Sequence, residues 1–271
     1  MGGIILLAGC GKMGSAMLEG WLERGVKPSD VYAVEPNPDT AASLERQYGI
    51  NALGNAADLP AELSPTVVVF AVKPQMMDVA APDYARFAGP ETVYLSIAAG
   101  KTIAYFESIV GQDAVIVRAM PNTPAAVQRG ITVACPNAGV TDAQRQFCDE
   151  LLQAVGEVEW VDDEGLIDAV TALSGGGPAY VFLLAEVMAR AGFEAGLPEA
   201  LAKRLARVTV SGAGELMHQS TDEPEQLRIN VTSPGGTTAE ALRILMADDA
   251  WQPLMTRAIA AATARSKELA G

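Results

Sequence analysis

Ile4-Ile5-Leu6-Leu7-Ala8 is an unbroken apolar run of the length that a parallel strand buried on both faces requires. After a glycine-rich stretch, apolar positions recur at helical spacing from Ser15 to Glu23, and Gly25 closes that segment. The alternation then repeats. Val31-Tyr32-Ala33-Val34, Thr66 to Val72, Thr92 to Ser96 and Ala114 to Val117 read as further strands with helical segments between them. Such a chain predicts a doubly wound parallel sheet. Ile131 to Cys135 and Val158 to Val161 look like later, antiparallel strands closing the sheet, with a helix over Thr141–Val155 between them.

After the acidic cluster Asp162-Asp163-Glu164 the strand-like runs stop. The remainder reads as helix: Ala179–Ala191, Pro198–Met217, Pro224–Asn230, Thr238 to about Met246, and Trp251–Leu269. The pattern therefore predicts an α/β domain over residues 1–162 and an all-helical domain over 163–271. Ala179–Ala191 is apolar almost all round, broken only by Glu186 and Arg190, and such a helix is normally buried on every side. A second subunit packed on it satisfies that more easily than a small monomeric bundle does, so an obligate dimer is expected.

Composition narrows the partners. Of the 271 residues 49% are hydrophobic, enough for a large core and too many for a disordered chain. A formal charge of −14 argues against nucleic acid or an anionic membrane as partner. The longest uncharged run, Ala169 to Ala185, contains Gly175-Gly176-Gly177-Pro178 and is read as too interrupted for a continuous membrane helix. The start of the chain lacks the basic residues and cleavage site of a signal peptide. Cys10, Cys135 and Cys148 are scattered and odd in number, which argues against a disulfide framework and for the reduced cytoplasm. With His218 as the only histidine, no metal site or histidine triad is expected.

The chemistry lies in the loops. Gly9-Cys10-Gly11-Lys12-Met13-Gly14 is the G-x-G-x-x-G pattern in its proper setting, between a strand and a helix. Gly9 would make the tight turn, Gly11 would admit a dinucleotide pyrophosphate, and Gly14 would let helix and strand pack closely. Glu35, ending the next strand, is the acid that would hold a ribose hydroxyl. A carboxylate there repels a 2′-phosphate, and Pro36-Asn37-Pro38 supplies no arginine, so the sequence leans towards NADH over NADPH. Ala71-Val72-Lys73-Pro74 lies at the carboxyl end of another strand, where such sheets bind ligands. Lys73 is either a contact to the cofactor's ribose or phosphate or an ordinary solvated lysine. Asn122, set between prolines, either orients the nicotinamide or substrate or is a turn asparagine.

Val231-Thr232-Ser233-Pro234-Gly235-Gly236-Thr237-Thr238-Ala239-Glu240 runs into a helix start. Thr237 and Glu240 fit a capping box, and the exposed amides of the first turn suit a carboxylate or phosphate.

Taken together, these strings resemble the pyrroline-5-carboxylate reductase family nearly end to end. The Gly9–Gly14 fingerprint, Ala71–Gln75, Arg118–Ala125, Ser174–Phe182 and Val231–Thr238 carry the likeness. The resemblance implies a Rossmann domain, a helical dimerisation domain, and reduction of L-1-pyrroline-5-carboxylate to L-proline by NAD(P)H, the last step of proline biosynthesis. It also implies a homodimer, and dimers of this family often assemble into a decamer. Ser233 and the backbone amides of Gly235, Gly236 and Thr237 would hold the substrate carboxylate, and Thr238 would hydrogen-bond the ring nitrogen. Asn55 falls where the family has a cofactor-contacting asparagine. Gly176 stands where the family commonly has serine.

An imine is basic enough to take its proton from water, so no histidine or lysine acid is needed and the task becomes one of orientation. A 3-hydroxyacid dehydrogenase would want a lysine on the helix Ala179–Ala191, which has none. A broader cyclic imino acid reductase and a non-catalytic NAD(H)-binding sensor remain as alternatives.

Overall fold

The computed structural model describes residues 2–270. They form two compact units, one comprising residues as far as Gly175 together with those from Ala262 onward, the other Gly176–Ala261.

The first unit is built on an eight-stranded sheet in the order β3-β2-β1-β4-β5-β6-β7-β8. β1 (Ile5–Ala8), β2 (Val31–Val34), β3 (Asn51–Leu53), β4 (Val67–Phe70), β5 (Val93–Ser96) and β6 (Val115–Met120) are parallel. β7 (Gly130–Pro136) runs antiparallel to β6, and β8 (Gly156–Trp160) pairs parallel with β7. The closing pair thus runs against the rest of the sheet, as expected. Its two members are mutually parallel because a helix, α5 (Asp142–Leu152), provides the crossover between them.

The other helices of this unit are α1 (Lys12–Glu23), α2 (Pro38–Tyr48), α3 (Met77–Ala80), α4 (Ile103–Val110) and α6 (Ile167–Val170). Alternate strand residues feed two separate cores, as the twofold period of a strand dictates. Ile5, Leu7, Val67, Val69, Leu95 and Val117 pack with Met17, Leu18 and Trp21 of α1 and with Leu151 and Leu152 of α5. Trp21 Nε1 donates to the Leu151 carbonyl at 2.9 Å, which satisfies its polar atom inside that core. Leu6, Val68, Phe70, Tyr94 and Ile116 point the other way, towards Met77, Tyr84 and Phe106. There Phe70 stacks on Tyr94 and Phe106 at 5.9 and 5.3 Å between ring centroids.

The acidic cluster 162–164 does not divide the compact units. Arg118 Nη1 donates to Glu164 Oε1, Ile167 is part of the second core, and Asp168 accepts from Ser266 Oγ at 2.7 Å. These contacts hold the start of the helical region to the first unit.

The glycine-rich stretch does mark a junction, with Gly176 as the N-cap of the next helix, yet Glu164–Glu194 is helical on both sides of it and long and apolar enough by length and composition to cross a membrane. A π turn over Thr171–Gly175 widens it, and Pro178 falls in the first turn of α7 (Gly177–Glu194), where its missing N–H costs nothing. Thr171 Oγ1 and Ser174 Oγ donate to the carbonyls of Ile167 and Val170, at 2.8 and 3.0 Å, in the turn that the widening disturbs.

The second unit contains α7, α8 (Glu199–Gln219), α9 (Pro224–Asn230), α10 (Thr237–Leu245) and the start of α11 (Trp251–Ala270). α7 and α8 pack as a hairpin in which Gly192 admits the Ala202 methyl; a Cβ at Gly192 would lie 3.4 Å from it. No residue of α7 is buried within the single chain, and Phe182 and Leu183 are 63% and 56% exposed.

Candidate active site

The loop between β1 and α1 is shaped by its three glycines, each in a different way. Gly9 has φ +90°, and a Cβ there would sit 2.8 Å from Val72 Cγ1. A Cβ at Gly14 would lie 2.4 Å from the Gly9 carbonyl oxygen, so only glycine allows α1 to pass this close to the strand end. At Gly11 nothing stands within 4 Å of that position. Gly11 is also the N-cap of α1, with no side chain capping the first turn. An open approach beside uncapped helix amides is the arrangement that suits a dinucleotide pyrophosphate.

A cavity of about 460 Å³ opens at the carboxyl ends of β1, β2 and β4. Of the residues expected at a cofactor, Gly9, Gly11, Glu35, Asn55, Ala71, Val72 and Lys73 line it. Lys12, Met13, Gly14, Pro74 and Asn122 are not among its lining residues. Lys12 is exposed in the first turn of α1.

Glu35 is fixed by the backbone on both sides. Its Oε2 accepts from the Cys10 amide at 3.0 Å and its Oε1 from the Asn37 amide at 3.1 Å. Ser15 Oγ adds a brace by donating to the Cys10 carbonyl at 3.0 Å. Burial, with the Glu35 charge second, pushes the Cys10 thiol up to about 12, so it remains protonated. Asn55 Oδ1 accepts from the Ala57 amide at 2.9 Å and caps a short 3₁₀ turn on the cavity wall.

Asn122 braces two backbone segments. Its Oδ1 accepts from the Ile131 amide at 3.0 Å, and its Nδ2 donates to the Ser174 carbonyl at 3.2 Å. The side chain therefore ties the π turn to the start of β7.

Tyr84 and Asp83 also line the cavity and were not expected there. They come from irregular 3₁₀ turns after α3, a stretch with neither helical nor strand period, so no sequence signal points to them.

In the second unit, Ser233-Pro234-Gly235-Gly236 forms a tight turn. The Gly236 amide donates to the Ser233 carbonyl at 3.0 Å, and Gly235 has φ +70°. Proline in the second position and a left-handed glycine in the third are the marks of a type II turn. The expected capping box does not form. Gly236 takes the extended N-cap position, so Thr237 is already the first helical residue and its hydroxyl is one place too late. Glu240 instead accepts from Arg243 Nε at 3.1 Å. Without a side-chain cap, the first turn of α10 keeps its amides available. The Gly236 amide, however, is turned inward to close the turn, and does not face outward as the carboxylate-holding reading supposed. Ser233, Gly235, Thr237 and Thr238 are exposed beside it.

A family model described as pyrroline-5-carboxylate reductase dimerisation matches residues 164–269, and one described as NADP oxidoreductase, coenzyme F420-dependent, matches residues 3–100. The pyrroline-5-carboxylate reductase of Pseudomonas aeruginosa is 40% identical over 266 residues, 98% of this chain and 96% of its own. The chain belongs to the pyrroline-5-carboxylate reductase family. A solved family structure from Coxiella burnetii superposes with a TM-score of 0.92 at 32% identity, covering 99% of both chains. The Plasmodium falciparum pyrroline carboxylate reductase, solved with NADP bound, gives a TM-score of 0.81 at 28% identity over 99% of this chain and 98% of its own. The chain is thus a reductase with a Rossmann-like nucleotide domain and a helical dimerisation domain, and its cofactor is NAD(P)H.

Proposed function

We propose that this protein reduces the C=N bond of L-1-pyrroline-5-carboxylate to give L-proline, the last step of proline biosynthesis. The near-full-length likeness to the Pseudomonas aeruginosa reductase carries the reading. When bound, reduced nicotinamide would supply a hydride to the ring carbon of the protonated C=N bond, leaving the nitrogen as a secondary amine that keeps its proton.

The chain's own residues bind and orient. The glycine loop Gly9–Gly14, the Glu35 carboxylate and the Asn55 and Ala71–Pro74 loops hold the dinucleotide. The Ser233 hydroxyl and the Gly235 and Thr237 amides hold the substrate carboxylate at the start of α10, where the helix dipole favours an anion. Thr238, the second residue of that helix, accepts from the protonated ring nitrogen. Lys12 and Met13 contribute the first-turn amides of α1.

The exposed apolar face of α7 is covered by a second copy of the chain and not by lipid. The family model for dimerisation spans this helix, and Glu186 and Arg190 interrupt its apolar surface. Dimers then assemble further, as far as a decamer. Three buried, unpaired cysteines suit the cytoplasm.

The test is direct. Purified protein mixed with the cyclic imine and reduced cofactor should consume absorbance at 340 nm and yield proline in equal amount; cofactor binding without proline formation would leave only a nucleotide-sensing role.

A further inference from the structure

We propose that this reductase takes NADH in preference to NADPH and that Glu35 decides it. The inference rests on the dinucleotide reading of the cavity above and concerns only the 2′ position of the adenosine ribose.

Glu35 lines the cavity together with Gly9 and Gly11, at the end of β2 where the ribose of a dinucleotide lies. A carboxylate has lone pairs to accept from ribose hydroxyls even while each oxygen holds one backbone amide. It repels a phosphate at the same place. Rotating the side chain away would relieve that repulsion, but at the cost of two hydrogen bonds. The Cys10 and Asn37 amides hold one carboxylate oxygen each, at 3.0 and 3.1 Å, so Glu35 ties the glycine loop to the loop after β2. Moving it breaks both bonds and loosens the loop that receives the pyrophosphate.

The usual means of accepting a 2′-phosphate are also missing. The first-turn amides of α2 follow Glu35 closely in the chain, and Asn37 already occupies two of them. Its Oδ1 accepts from the Asp39 and Thr40 amides, both at 3.0 Å. Asp39 adds a second negative charge in that turn. Pro36 and Pro38 have no N–H to offer. Of the cavity's lining residues Lys73 is the only cation, and it is set against Glu35 and Asp83. It follows β4, which β1 separates from the strand that ends in Glu35. Lys12 does not line the cavity.

The test is a fluorescence titration of the purified enzyme with NADH and with NADPH, in the absence of imine, followed by kcat/KM for each in its presence. NADH should bind about tenfold or more tightly than NADPH, the usual scale of discrimination from a like-charge clash. In competition, 5′-AMP should displace NADH better than 2′,5′-ADP does. Glu35→Gln should shrink the NADH advantage, chiefly by improving NADPH binding. Wild-type enzyme that binds NADPH as well as NADH overturns the proposal, and that comparison needs no variant to fold. An unchanged binding ratio in Glu35→Gln overturns the role of Glu35. Binding of neither nucleotide removes the dinucleotide reading and this proposal with it. The expected ratio without imine reduction sinks only the reductase assignment and leaves this proposal standing.

Discussion

Arg118 Nη1 lies 2.7 Å from Glu164 Oε1, an ion pair in which the arginine side chain is 4% exposed and the glutamate 29%. The same glutamate oxygen accepts from the Ile103 amide at 2.8 Å, so one carboxylate joins β6, the start of α4 and the entry to the helical region. Removing it leaves a buried guanidinium and a helix-start amide without their partner. Glu164→Ala should therefore cost on the order of 3 kcal/mol, near the low end for a broken buried pair because Glu164 keeps some water. Glu164→Gln, which retains an acceptor for Ile103, should cost less. Urea unfolding of both variants checks the order.

Thr238→Ala should lower kcat/KM for the imine by roughly ten- to a hundredfold, the loss expected when one oriented hydrogen bond of about 1–3 kcal/mol disappears from the transition state. NADH affinity should be unchanged. A variant as fast as wild type removes Thr238 from the mechanism.

Gly235 occupies φ +70° in the turn before α10. Gly235→Val forces a β-branched residue into a left-handed conformation, at a cost of about 1–3 kcal/mol. The turn that presents the Ser233 hydroxyl and the Thr237 amide should distort, and KM for the imine should rise while nucleotide binding stays as it was. Steady-state kinetics with a parallel nucleotide titration separates the two.

Phe182 and Leu183 are the most exposed large apolar residues in the first half of α7. Phe182→Glu places a charge on the face given to the second copy, and such a face does not accept an unpaired carboxylate. Light scattering coupled to size exclusion should show the mass fall to that of one chain, 28.3 kDa. A wild-type protein already monomeric at micromolar concentration defeats the dimer assignment.

Burial pushes the thiols of Cys10 and Cys148 up to about 12. A folded pKa above the unfolded one, near 9 for an ordinary thiol, gives stability that is complete below about pH 9 and is lost as pH rises towards 12. Thermal midpoints should fall across that alkaline window. A thiol reagent at pH 8 should find the thiols unreactive in the native protein and all 3 cysteines reactive after denaturation.

The sequence exposed the nucleotide unit well because its signals are local. β1, the glycine loop and α1 lie within about one turn-and-strand length of each other, and fully buried strands show as apolar runs. β3 escaped notice because Asn51–Leu53 is a three-residue edge strand, only partly buried, with too little length to display a period. The break at Gly175–Pro178 is narrower than the glycines imply, because proline is harmless in the first turn of α7 and a π turn leads into it. The helix starts one residue earlier than the capping-box pattern implies, because Gly236 and Thr237 both satisfy N-cap preferences and only the backbone angles separate them. The bond from Asn122 to Ser174 joins residues 52 positions apart, a contact that local pattern cannot show.

Ser266 reaching Asp168 also fixes an order of events during synthesis. A ribosome releases the sheet and its flanking helices long before residues from Ala262 onward emerge, yet those late residues belong to the same compact body. The contacts that those late residues make with the nucleotide unit can therefore form only after the whole of Gly176–Ala261 has been synthesised.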